Sequence, residues 1–311
     1  MKHQTIGKSG IRAGRLSYGC MRIAGTWNPA EVDAEKRRNA HAALDAALEA
    51  GYTLFDHADI YAAGACETLH GEVLAANPDL RERIVIATKC GIRFPNQPEG
   101  SPHRYDFSGE HIRWSCDASL ERLQTDYIDI YQLHRPDVLM NPREIADAFS
   151  ELHAAGKVRY FGVSNFSPSF VSALQSALDF PLVVNQVEIH LGRLACFTDG
   201  TLDQCLERTI TPLAWSPLGG GWLGTPKAPQ TDLSPKQTAL VELMDKIATE
   251  HGVGRTEIAL AFLLKHPSGI VPIVGSTRPS AIRDAVRADD IELSRDDWYR
   301  LYVAARGEGL P

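Results

Sequence analysis

Short apolar runs rich in β-branched and aromatic residues begin near Leu16, Thr53, Ile84, Tyr127, Val158, Val183, Ile210 and Gly269. They are apolar on both faces, the pattern expected of strands enclosed between a core and a layer of helices. Between them lie stretches with apolar residues every three or four positions, clearest over 33–50, 109–123, 142–155, 168–178 and 257–265. That period predicts amphipathic helices. Gly51, Gly156 and Gly252 stand just past helical segments, where a left-handed residue closes a last turn. Ahead of this repeat, segment 5–11 reads as a short hairpin, with Gly7 and Gly10 bracketing its turn.

Eight β-then-α units predict the α/β class and a (β/α)8 TIM barrel, with the N-terminal β-hairpin and extra terminal helices, over one domain spanning 1–311. A doubly wound sheet would need a glycine-rich dinucleotide fingerprint at its first strand, and 15–21 offers only Gly19. Gly219, Gly221 and Gly224 do spell G-x-G-x-x-G after the seventh strand. Pro226 and a Pro/Thr-rich stretch follow them where a phosphate-capping helix should begin. A loop folding over a ligand at the barrel mouth fits them better.

Composition narrows the function. The 311 residues are 44% hydrophobic and 23% charged, enough for a large core. A formal net charge of -7 and the lack of a basic stripe argue against tracking nucleic-acid phosphates. Segment 1–10 carries Lys2 and Lys8 but no apolar signal region, and no apolar stretch is long enough to span a membrane, so a cytoplasmic enzyme is expected. Six scattered cysteines without a C-x-x-C pair imply reduced thiols. Cys90 is either a thiol activated by neighbouring Lys89 or a small buried hydrophobe at a strand end.

Parallel strands joined by helices open all their C-terminal ends on one face. The second strand ends in Asp56, with Tyr61 close behind; the third ends near Lys89 and the fourth at His134. A phenol is a weak acid at neutral pH, so Lys89 is expected to lower the pKa of Tyr61, and Asp56 to hold Lys89 charged in a dry site. His134 would donate a hydrogen bond to a substrate oxygen. Singly these could be a surface aromatic, a structural ion pair and a core histidine. Their conjunction at successive strand ends points to acid-base chemistry on a carbonyl. A rival, a metal-dependent hydrolase, could draw on Asp56, His57, Asp59, His134, Glu188 and His190. It is disfavoured, and no metal is expected, because Asp56 and His57 should face opposite sides of a strand and Lys89 has no metal role.

The run Gly51-Tyr52-Thr53-Leu54-Phe55-Asp56-His57-Ala58-Asp59-Ile60-Tyr61 resembles the signature of the aldo-keto reductases. Thr88-Lys89-Cys90-Gly91, Gln132-Leu133-His134-Arg135-Pro136-Asp137, Gly156-Lys157-Val158-Arg159-Tyr160-Phe161-Gly162-Val163-Ser164-Asn165-Phe166, Asn185-Gln186-Val187-Glu188 and Trp215-Ser216-Pro217-Leu218-Gly219-Gly220-Gly221 continue the likeness in family order. The wording from Asp56 to Tyr61, and a tryptophan where tyrosine is usual, are similar to a bacterial branch of the family.

The resemblance implies NADPH-dependent reduction of a small-molecule aldehyde or ketone, with Asp56, Tyr61, Lys89 and His134 as the catalytic tetrad. It implies that Ser164, Asn165 and Gln186 hold the carboxamide and that Trp215 stacks on the nicotinamide. Gly19, Met21 and Asp56 would also border the NADP(H) site, with Ser216, Pro217, Leu218 and Gly220 along the pyrophosphate. Gly275, Ser276, Thr277 and Arg278 would hold the adenosine phosphate. Arg278 favours NADP over NAD. The chain departs from the family at Asp284-Ala285, where Glu-Asn is common, and at Ala281, often arginine. That leaves Arg278 and Arg283 to carry the charge. Segment 92–108 is long enough for a lid or pocket wall, and Met21, Trp27 and Phe94 are candidate apolar lining. An NADP-binding redox-sensing subunit is the other reading the family offers.

Overall fold

The computed structural model describes residues 1–226, 230 and 232–310. Eight parallel strands form a closed barrel in sequence order: Ser17–Gly19, Leu54–Asp56, Val85–Cys90, Ile128–Leu133, Val158–Ser164, Leu182–Glu188, Thr211–Trp215 and Val271–Val274. The eighth pairs with the first through Ile273 opposite Ser17, so no strand edge is left open. All eight expected strands are present.

The N-terminal hairpin pairs His3–Thr5 with Arg12–Gly14. Its turn closes the bottom of the barrel. Gly7, at φ +52°, donates its N–H to Thr211 Oγ1 at 2.8 Å, and a Cβ there would lie 2.3 Å from the Val183 carbonyl oxygen. Ile6 and Ile11 join Leu54, Val85, Ile130, Val184, Leu213 and Val271 in the barrel's interior core.

The five expected helices appear as Ala34–Glu49, Gly109–Leu123, Pro142–Ala154, Pro168–Gln175 and Arg255–Leu264. Asp33, Ser108, Asn141 and Ser167 cap the first four by accepting a first-turn N–H. Gly51 and Gly156 follow the first and third at φ +86° and +72°, and the next N–H in each case returns five residues back along the helix, from Tyr52 to Ala47 and from Lys157 to Leu152. Helices Ala65–Ala76, Thr201–Arg208 and Pro235–His251 complete the ring, with Pro279–Ala285 and Arg295–Arg306 beyond the last strand. Segment 92–108 carries a two-stranded antiparallel pair, Ile92–Arg93 with Arg104–Tyr105. No described helix is long and apolar enough to cross a membrane.

Candidate active site

The second and third strands bring an acid and an amine face to face inside the barrel mouth. Asp56 turns inward and His57 outward, as strand alternation requires. Lys89 is fully buried, and its Nζ donates to Asp56 Oδ1 and Oδ2 at 2.8 and 2.9 Å and to the His57 carbonyl oxygen at 2.6 Å. Tyr61 arrives from the short helical turn Tyr61–Gly64, and its hydroxyl lies 3.2 Å from the same Nζ. Gln186, on the sixth strand, donates to Asp56 Oδ1 at 2.6 Å. That contact did not emerge from the sequence.

Burial alone would strip Lys89 of its charge, but Asp56 and Tyr61 reverse the balance and raise its pKa above the ordinary value. The expectation for Tyr61 is corrected. Burial pushes the phenol up, Lys89 pulls it down and Asp56 pushes it up again, and the net result is about 12. The phenol is therefore protonated throughout the physiological range.

His134 ends the fourth strand's run and packs edge-on against Tyr61, with ring centroids 6.0 Å apart. Burial, then the charges of Lys89 and Arg135, hold its imidazole well below the usual histidine range, so the ring is neutral. Its Nδ1 is buried without a partner. Beside it, Asn165 Nδ2 donates to the His134 carbonyl oxygen at 3.3 Å and to Ser164 Oγ at 2.8 Å, while Asn165 Oδ1 accepts from Trp215 Nε1 at 2.9 Å. Ser164 Oγ donates to the Gln186 carbonyl oxygen at 2.9 Å. Asn165 takes a left-handed φ of +62°, a conformation asparagine tolerates better than most residues. Asp56, Tyr61, Lys89, His134, Ser164, Asn165, Gln186 and Trp215 thus form one connected cluster.

Around this cluster the remaining candidate cofactor residues border the mouth. Gly19 is buried opposite Asp56, and Met21 is exposed on the following turn. Ser216 and Gly220 are exposed and Pro217 is buried, in a loop whose Ser216, Gly219, Gly220 and Gly221 all have positive φ. A Cβ on Gly220, Gly221 or Gly275 would meet nothing within 4 Å, so both phosphate-side loops face open space. Arg278 is exposed, and its guanidinium makes no ion pair or hydrogen bond among the described residues. Arg283 pairs with Glu49 at 2.8 Å on the exposed surface, a contact that Arg278 lacks among the described residues. Open glycine loops and an unpaired arginine suit a dinucleotide phosphate. The stretch expected to fold over a ligand lies partly outside the described residues.

Other candidates fall elsewhere. Cys90 is wholly buried and burial pushes its thiol well up, so the activated reading fails. Of the six metal-ligand candidates, Asp56 is held by Lys89 and Asp59 by Ser115 at 2.8 Å, Glu188 lies between Arg193 at 3.1 Å and His190 at 3.5 Å, His134 stays beside Tyr61, and His57 instead meets His70 at 2.8 Å, with Cys20 close to both. Phe94 is half-exposed in the wall of a cavity of about 310 Å³ behind the Tyr61 turn, shared with Asp59, Arg93, His111 and Trp114 and with none of the tetrad. Residues 92–94 and 97 of segment 92–108 thus line this cavity. Trp27 is 59% exposed.

Fold and site together define a barrel enzyme equipped for acid-base chemistry at the C-terminal ends of its strands. The chain belongs to the aldo/keto reductase family, which it matches over residues 15–304, and with it to the oxidoreductases that act on carbonyl groups with nicotinamide cofactors. It is 41% identical to a 6-dehydroglucose reductase of Novosphingobium aromaticivorans over 98% of this chain and 96% of that protein. It is 39% identical to the oxidoreductase YdhF of Escherichia coli over 99% of this chain and 98% of that one. The crystal structure of a thermostable aldo-keto reductase with the inhibitor epalrestat superposes with a TM-score of 0.83 at 28% identity, covering 98% of this chain and all of that one.

Proposed function

We propose that this chain, acting as one barrel domain, reduces an aldehyde or ketone to an alcohol at the expense of NADPH, with Tyr61 as the proton donor. The observation that carries the reading is the arrangement around one atom. Lys89 Nζ is pinned by both oxygens of Asp56 and by the His57 carbonyl, and what it offers the cleft is its contact with the Tyr61 hydroxyl.

When bound, the nicotinamide cofactor supplies a hydride to the carbonyl carbon. Negative charge then develops on the carbonyl oxygen and must be met by a proton and by hydrogen bonds. Tyr61 is protonated and buried, so it holds that proton at its hydroxyl. As the proton leaves, the phenolate forms 3.2 Å from the ammonium of Lys89, which stabilises it. Asp56 keeps the ammonium charged, and Gln186 fixes Asp56. Neutral His134 can give one hydrogen bond to the oxygen without competing as the acid. Asn165 ties the His134 backbone to Trp215, linking the strand end that carries the imidazole to the aromatic ring. Ser164 and Asn165 are bonded to each other, Ser164 to the Gln186 backbone carbonyl, and the Gln186 side chain to Asp56, which preorganises the three for a carboxamide. Arg278 would pair with the extra phosphate that distinguishes NADPH from NADH.

Turnover of NADPH against a panel of aldehydes, ketones and quinones tests the reading. The panel includes 6-dehydroglucose, named for two relatives at 41% and 38% identity. Tyr61→Phe should keep NADPH affinity and lower turnover about 100- to 10,000-fold. Turnover unchanged by that substitution removes Tyr61 from the role.

A further inference from the structure

We propose that Arg135 is the specificity-determining residue of this site, anchoring carbonyl substrates that carry a carboxylate remote from the reacting group. The proposal rests on the reading of Tyr61 and His134 as the groups that hold the carbonyl oxygen.

Arg135 follows His134 directly, past the end of the fourth strand, so it stands at the mouth of the barrel. It is half-buried there. Its guanidinium carbon lies 5.5 Å from the centroid of the Trp215 ring. Its charge is also close enough to His134 to be among the causes of that ring's suppressed basicity. Among the described residues no carboxylate pairs with it and no hydrogen bond ties it down; the contact over Trp215 is the one it makes.

That is unusual within this chain. Most other arginines that lose solvent meet a carboxylate, as Arg81 with Asp129 at 2.8 Å, Arg122 with Glu67 at 2.7 Å and Arg255 with Asp245 at 2.5 Å, and Arg208, which has none, still donates to Ser172 Oγ at 3.3 Å. Partly desolvated charges are normally paired, because an unpaired one forfeits hydration without compensation. A cation–π contact is weaker than a charged hydrogen bond, so the guanidinium can exchange Trp215 for a better partner. Its planar fork matches a carboxylate with two parallel N–H···O bonds. The missing anion would then arrive with the substrate. With the carbonyl oxygen between Tyr61 and His134, the guanidinium over Trp215, a ring that Asn165 links to the His134 backbone, would meet the substrate's other end.

The test compares para-carboxybenzaldehyde with its methyl ester, which keeps the ring and the aldehyde and loses the charge. Wild type should prefer the acid. In Arg135→Met the ratio of kcat/KM for acid over ester should fall about 10- to 150-fold, through KM rather than kcat, with part of the preference rescued in Arg135→Lys. NADPH affinity should be the same in all three. Equal losses for acid and ester, an unchanged ratio, or weakened NADPH would overturn the proposal. Calorimetry with para-hydroxymethylbenzoate, the alcohol product, reads the anchor without any turnover. Its binding should be lost in Arg135→Met, and retention there would also overturn the proposal. Absence of reduction of either aldehyde alongside Arg135-dependent product binding would instead reject the reductase reading and leave the anchor standing.

Discussion

Removing the ammonium of Lys89 separates what it contributes to folding from what it contributes to chemistry. Lys89→Met leaves Asp56 a buried carboxylate, 3% exposed, with Gln186 at 2.6 Å as its remaining side-chain donor, and leaves the His57 carbonyl oxygen without the 2.6 Å bond. Breaking a buried pair by deleting one partner costs about 3–5 kcal/mol, and the surviving Gln186 bond places this case near 3. Replacing both charges is often close to neutral, so Asp56→Asn with Lys89→Met should recover most of that loss. Activity should behave differently. Without the cation the phenol, already at about 12, rises further and its phenolate has no counter-charge, so both variants should lose about 100-fold or more of carbonyl reduction. Denaturant unfolding and NADPH consumption measure the two effects on the same preparations. A double variant as unstable as the single one, or a single variant as stable as wild type, would refute the account of Asp56 as the charge that Lys89 neutralises.

Arg278→Ala should weaken NADPH by about 1.5–3 kcal/mol in binding titrations and spare NADH; equal losses would move the phosphate elsewhere. Burial, then Glu67, raises Asp59 from 3.8 to about 7, so the folded state holds a proton that the unfolded state has released. Its contribution is therefore full below about pH 4 and lost as pH rises toward 7, and Asp59→Asn should flatten that slope in melting curves; an unchanged slope would reject it. Gly71→Ala would place a Cβ 2.2 Å from the Arg122 carbonyl oxygen and 2.9 Å from the Leu123 carbonyl carbon, where the facing helix cannot yield. Overpacking of about 1–3 kcal/mol should exceed the roughly 1 kcal/mol helix propensity gained, so the variant should unfold at lower denaturant.

The barrel was legible because its strands are buried on both faces, so each appears as an uninterrupted β-rich run and needs no partner to be recognised. Helix Ala65–Ala76 is the counterexample. Seven of its twelve residues are buried, Glu67 and His70 among them, so no clean polar stripe marks its period. The pair of short strands in segment 92–108 was hidden in the same way by proline and charge. Within the site, strand alternation accounts for Asp56 facing inward and His57 outward, and strand order for the proximity of Asp56, Tyr61, Lys89 and His134. The Gln186 bond to Asp56 spans 130 positions and depends on barrel closure, which no local pattern encodes.

The sign of the Tyr61 shift exposes the limit of reasoning from neighbours alone. Lys89 lowers the phenol's pKa as expected, yet it is itself neutralised by Asp56, so its pull at 3.2 Å is partly cancelled by a carboxylate on the far side of the same nitrogen. Burial then decides the outcome. The same burial, with Lys89 and Arg135, discharges His134. Of the groups that surround the proposed carbonyl oxygen, the imidazole is neutral, the ammonium is held by Asp56, and the phenol keeps its proton. In the proposed mechanism, an arrangement that raises one acid and holds its neighbours makes Tyr61 the proton donor, and the transfer then depends on the charge developing on the substrate oxygen rather than on an already ionised tyrosine.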